Sequence, residues 1–168
     1  MMELDCRKII KLEDGCSCVR IKGMFFDLLA PDGSLLVHCT NDAKIFRCPV
    51  FIDSRGRELA RIRFKWSTPI LVLSDNVGDG RNREIEMKLF GNSGSKFLPL
   101  AEINLFGTKI ISRNGHLSVD DEGLSADKQN LIKAILCFCK NYQSEQEKAQ
   151  NVWLYYLLLL IIVCVASY

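Results

Sequence analysis

The sequence predicts a mainly β protein: an antiparallel barrel of about ten to twelve strands around one apolar helix, followed by a C-terminal transmembrane tail. Three observations carry that expectation. Residues 8–120 alternate short apolar-rich runs with turn residues at near-regular spacing. Residues 125–141 form a helical stretch with almost no polar face, and residues 152–166 are fifteen apolar residues with neither charge nor helix breaker. A chain of 168 residues accommodates one domain plus such a tail. The expected division is a barrel domain over 1–143, a polar linker over 144–151 and a membrane tail over 152–168.

The strands follow from the turns between them. Residues 25–29 and 35–39 flank Ala30-Pro31-Asp32-Gly33, and residues 50–53 and 58–66 flank Ser54-Arg55-Gly56. Residues 70–74 and 85–90 flank a longer loop holding Gly78-Asp79-Gly80. Residues 98–106, 109–112 and 116–119 follow, with Asn114-Gly115 as the tightest turn signal. No Gly-rich phosphate loop joins a strand to a helix, which argues against a nucleotide-binding α/β fold.

One strand assigns its own faces. Across 57–66, Ala60, Ile62, Phe64 and Trp66 alternate with Arg57, Leu59, Arg61, Arg63 and Lys65. A period of two places the first set inward and the second on the outer wall. Arg57, Arg61, Arg63 and Lys65 then form a candidate lipid-facing stripe, each cation worth about 1 kcal/mol near an anionic surface. The competing expectation is a solvated basic strand paired with acidic neighbours such as Glu84 and Glu86.

In the helical stretch, Ser125 suits the N-cap, and Asp127 and Lys140 match the helix dipole in the first and last turns. Leu131, Ile132, Ala134, Ile135, Leu136, Cys137, Phe138 and Cys139 are interrupted only by Lys133. A helix apolar all round is buried, and this one is too short to span a bilayer, so it is expected to thread the barrel axis. The polar run with Glu145, Glu147 and Lys148 reads as a linker. Beyond it, Trp153, Leu157, Leu158, Leu159, Leu160, Ile161 and Ile162 mark the tail. Fifteen helical residues cover roughly 22 Å at about 1.5 Å each, so 149–151 and 167–168 must help fill a hydrocarbon core of about 30 Å. The expectation is a single-pass C-terminal anchor with the domain facing the cytosol. A fully buried core helix is the alternative.

Composition narrows the function classes. The chain is 48% hydrophobic and 25% charged, which is globular rather than disordered composition. Its basic residues form one strand without interleaved surface aromatics, so no nucleic-acid partner is expected. Glu3, Asp5, Arg7 and Lys8 do not resemble a secretory signal, Met2 is not the glycine that myristoylation needs, and there is no prenylation box. The eight cysteines are therefore expected to be buried free thiols in a reducing compartment. Cys16 and Cys18, like Cys137 and Cys139, are separated by one residue, not the two to four of zinc sites, and only His38 and His116 could assist. No metal or cofactor is expected. Neither histidine has a Ser or Cys at diagnostic spacing, so no enzyme is expected.

Three stretches carry a resemblance: FDLLAPDGSLLVH (26–38), FRCPVFIDSRGREL (46–59) and residues 124–153, in which a polar helix start leads to AILCFC (134–139) and then QSEQEKAQNVW (143–153). Their order and spacing resemble the phospholipid scramblase family, whose fold is the tubby-like barrel around a buried helix. The resemblance implies a membrane-associated protein that binds phospholipids and translocates them between leaflets. The departures are specific. The family's proline-rich N-terminal extension is missing, and of its acylated cysteine cluster only Cys39 and Cys48 remain as acylation candidates. Where the family places an acidic calcium segment, this chain has RNGHL (113–117), with Asp120, Asp121 and Glu122 a few positions later. Calcium wants six to eight oxygens, and three adjacent acids before a helix more often form a loop or cap. The alternative function is a tail-anchored, non-enzymatic scaffold whose barrel binds anionic lipid or a protein partner.

Overall fold

In the computed structural model, which describes residues 9–12, 14–42, 48–65, 68–77, 84–89, 101–113, 116–118 and 123–166, two antiparallel sheets enclose one helix. The first sheet holds eight strands in chain order: β1 (Ile9–Lys11), β2 (Ser17–Lys22), β3 (Phe25–Leu29), β4 (Leu35–Asn41), β5 (Pro49–Asp53), β6 (Glu58–Lys65), β7 (Thr68–Leu73) and β8 (Glu84–Glu86). The second is ordered β12-β11-β10-β9, from β9 (Lys88–Leu89), β10 (Ala101–Leu105), β11 (Thr108–Arg113) and β12 (His116–Ser118). The helix α1 runs from Ala126 to Ala166.

Turn chemistry sets the strand boundaries. Gly33 (φ 84°) donates its N–H to Ala30 O at 2.9 Å, and Gly56 (φ 79°) donates to Asp53 O at 3.0 Å. Only glycine occupies this left-handed region cheaply, so each hairpin closes with a glycine and a bulge. The second bulge falls between Phe51 and Ile52, whose partners are Ala60 and Glu58. Leu59 is thereby shifted beside Ala60, and both are buried. Strict alternation had assigned Leu59 to the outer wall; the bulge is the physical reason that it is inside.

The closed barrel is not what the pairing shows. The first ladder runs from β1 to β8, and this eight-stranded sheet does not close on itself. The break falls at Met87, whose N–H bonds to Pro69 O at 3.0 Å and whose side chain is buried. That residue turns the chain from β8 into β9, and β9 and β10 lie alongside β7 and β8.

The helix begins after Ser125, whose carbonyl accepts the Gln129 N–H at 3.0 Å, with Asp127 in the first turn. Leu131, Ile132, Ala134, Ile135, Leu136, Cys137, Phe138 and Cys139 are all buried, as a helix stretch without a polar face requires. They pack against β2 to β6 on one side and β10 on the other, where Ile103 and Leu105 are buried. Phe138 meets Phe51 edge-on at 6.1 Å and stacks on Tyr142 at 5.6 Å, which in turn stacks on Phe64 at 5.8 Å.

The helix does not stop at Asn141, and it runs through the polar residues 144–151. From Ala126 to Ala166 there is no Gly or Pro, and Gln, Glu, Lys and Ala dominate 143–150. Those residues have high helix propensity, so polarity alone does not interrupt the rod.

Two strands fix the axial register of α1. Along β2, Cys16 lies by Lys133, Cys18 by Asn141 and Arg20 by Glu145. Along β6, Arg57 bonds Asp127 and Phe64 stacks on Tyr142. Seven strand residues rise about 23 Å and fifteen helical residues about 22 Å, so β6 and α1 advance in step. The domain therefore has two ends. The β5–β6 turn lies where α1 starts, and the β2–β3 hairpin lies where α1 leaves.

Candidate functional site

The basic run at β6 is not a uniform stripe, because its first two cations, Arg57 and Arg61, are paired with carboxylates of the fold. Asp53 Oδ1 accepts the N–H groups of Arg55 and Arg57 at 2.9 and 2.8 Å, and Asp53 Oδ2 accepts Arg57 Nε at 2.8 Å. Arg57 also reaches Asp127 Oδ2 at 3.0 Å, tying the β5–β6 turn to the first turn of α1. Burial pushes the Asp53 carboxyl up, but the Arg57 amide and guanidinium and the Arg55 amide outweigh it and hold it below the usual value. The Asp-x-x-Gly pattern over 53–56 is thus a structural clamp, closed by Arg57.

Arg61 is similarly committed. Its Nε and Nη2 bond Glu58 Oε1 and Oε2 at 2.7 and 2.6 Å, and its Nη1 reaches Asp42 Oδ2 at 3.3 Å. The paired Glu58 raises the guanidinium above its ordinary value. These groups and Thr40, Asn41 and Val50 line an open groove of about 470 Å³ on the outer face. Glu84 and Glu86 stand opposite Val72 and Ile70 of β7, so the carboxylates that neutralise Arg57 and Arg61 are Asp53, Asp127, Glu58 and Asp42 instead. Arg63 and Lys65 remain exposed and make no ion pair among the described residues.

At the end where α1 leaves, Arg20 donates to Gly23 O and pairs with Glu145, pinning the helix to the β2–β3 hairpin. The register shift between Arg20 and Lys22 leaves Ile21 out of the β2–β3 pairing and 44% exposed. At the other end Lys133 pairs with Asp14. These two ties, Arg20–Glu145 and Lys133–Asp14, join residues more than a hundred positions apart. No local pattern signals them, and sequence reasoning missed both.

The remaining candidates fall apart or fall outside. Cys39 is fully buried and Cys48 nearly so, with burial raising both thiols, so neither is presented for acylation. Cys137 donates to the Cys18 thiol and lowers it, while the same contact and burial push Cys137 well up. Burial pushes Cys139 up to about 12. Cys16, Cys18, Cys39, Cys48, Cys137 and Cys139 are free and buried. His38 Nδ1 meets Asp27 Oδ1 at 2.5 Å across β3 and β4. Asp120, Asp121 and Glu122 lie outside the described residues, and no cluster of three metal-ligating side chains occurs among the described ones.

Val152 and Trp153 are 53% and 76% exposed, so α1 has left the core by that point. Among the described residues no helix is long and apolar enough to cross a membrane. The side chains of 154–168, including Leu157, Leu158, Leu159, Leu160, Ile161 and Ile162, lie outside the described residues. Comparison with protein-family models, with curated proteins and with solved structures returns no match to this chain.

Proposed function

We propose that this chain is a membrane-associated, scramblase-like protein: a β domain of tubby-like kind, held at a phospholipid bilayer by its C-terminal helix and binding lipid there. The observation that carries the reading is the continuity of α1. The helix that fills the domain core extends without interruption into fifteen residues with no charge, and Val152 and Trp153, at the start of that run, face solvent. An aromatic residue at that position suits a membrane interface. Two antiparallel sheets around one axial helix are the parts of which a tubby-like barrel is made. The domain is placed on the cytosolic side.

Lipid translocation is the extension of this reading. It requires a polar path for headgroups through hydrocarbon, and residues 152–166 offer only Trp153, Tyr155, Tyr156 and Cys164 as polar groups. That scarcity favours a second reading, a tail-anchored scaffold that binds anionic lipid or a protein partner without moving lipid.

Reconstitution of the full chain into vesicles with a headgroup-labelled lipid separates the readings. The scramblase-like reading predicts that the protein floats with the vesicles and that a membrane-impermeant quencher reaches well beyond the outer-leaflet half of the label. Flotation with quenching no deeper than in protein-free vesicles leaves the scaffold. Failure to float removes both.

A further inference from the structure

Charge is unevenly spread along the axis of α1. At the end where the helix starts, carboxylates gather on the turns: Asp14, Asp32, Asp53 and Asp127, with Asp75 at the end of β7. The cations there are Arg57, spent on Asp53 and Asp127, Lys133, paired with Asp14, Lys128 over the Phe106 ring, and the exposed Lys11 and Arg55, so this end is close to charge balance. At the end where the helix leaves, Lys22, Arg63, Lys65 and Lys140 are exposed. Of the acids at that end, Asp42 and Glu145 are held by Arg61 and Arg20. Glu86 is exposed and lies beyond Ile70 from Arg63, about 10 Å across two strand spacings. Ile21, bulged out of β2, and Val152 and Trp153 on α1 add exposed apolar side chains to the same end.

We propose that this helix-exit end, and not the outer wall of β6, is the surface that meets an anionic phospholipid bilayer. Lys22, Arg63 and Lys65 face the headgroups there, and Ile21 sits at the interface. The inference rests on the membrane reading above and gives it an orientation. Glu145 is level with Arg20, and Val152 lies seven helical residues further on, about 10 Å. Lys22 stands about 6 Å beyond Arg20 along the strand, so its side chain is long enough to reach the level of Val152. Lys65 is level with the turn of α1 just beyond Tyr142, within about one to two Debye lengths of Val152 at physiological salt.

Helix continuity makes the orientation fixed. With neither glycine nor proline between Glu145 and Val152, the domain has no swivel on its stalk. An apolar run of roughly 22 Å is shorter than a hydrocarbon core of about 30 Å, which draws the flanking domain toward the headgroups. Docking along the wall of β6 would instead lay α1 parallel to the membrane, because β6 and α1 advance together. It would also present Arg57 and Arg61, whose charges are already matched.

The test uses the full chain in vesicles of phosphatidylcholine alone and in vesicles with one third phosphatidylserine. Each sample is floated, treated with a membrane-impermeant amine acetylating reagent and read lysine by lysine by mass spectrometry. The expected result is that Lys22 and Lys65 react at least threefold more slowly on anionic than on neutral vesicles. Exposed Lys11, in β1 at the opposite end, should react equally on both. High salt should erase the difference, as it screens surface charge. Equal reactivity of Lys22 and Lys65 on both vesicles, with flotation intact, overturns this orientation and leaves the membrane reading standing. Slower reaction of Lys11 in place of Lys22 and Lys65 reverses the orientation and overturns it as well. Failure to float with either vesicle overturns both the orientation and the reading beneath it.

Discussion

Replacing Phe138 by alanine is expected to cost about 3–5 kcal/mol of folding stability, a large share of what a domain of this size has. Phe138 is fully buried between Phe51 and Tyr142, at the point where α1 passes between the sheets. Truncation opens a cavity bounded by two other rings, and β5 and α1 cannot both move to fill it. Urea denaturation of the purified full chain in detergent checks this. A loss below about 1 kcal/mol would mean that the helix is not the packed centre of the domain. The same change at Trp153, exposed where α1 has left the core, is expected to leave the stability within about 0.5 kcal/mol.

Asp53→Ala is the second large effect, at about 2–3 kcal/mol. It removes the acceptor for the Arg55 and Arg57 amides and one of the two carboxylates on the Arg57 guanidinium, and so loosens both the β5–β6 turn and its tie to α1. The linkage to pH has a definite sign. The folded Asp53 carboxyl lies below its unfolded value of 3.8, so the stability it confers is complete above that value and is lost as pH falls through the lower, folded one. Asp14, which burial raises but Lys133 and the Cys16 amide lower further, acts in the same direction. Acid titration of stability should therefore be shallower for Asp53→Asn than for the parent. Identical slopes would show that this carboxylate is not held by the clamp.

How much of this was legible in the sequence depends on the range of the interaction. The hairpin turns at Gly33 and Gly56 were legible because a positive φ restricts the residue type locally. Burial of the 131–139 stretch was legible because no face of it is polar. The inward position of Leu59 was not, because a bulge shifts the period by one without leaving a mark in composition. The sheet break at Met87 was hidden for a similar reason: an apolar residue in an apolar strand looks the same whether the ladder continues or turns. The helical continuity of 144–151 was not legible, because polar residues with high helix propensity extend a helix that is already nucleated. In the candidate site, the period of two grouped Arg57, Arg61, Arg63 and Lys65 as one stripe. The pattern could not say that Asp53, Asp127, Glu58 and Asp42 would neutralise half of it, since Asp42 and Asp127 come from elsewhere in the chain.

The account turns on what residues 152–166 do, and one fractionation addresses that directly. The full chain and a version ending at Gln150 are expressed in parallel, and membranes are washed with alkaline carbonate. Circular dichroism and a cooperative denaturation curve then establish whether the shortened chain is folded. The account predicts that the full chain stays with the membrane after the wash, while the shortened chain is folded and soluble. A shortened chain that aggregates or fails to fold would place 152–166 in the core and contradict the anchor.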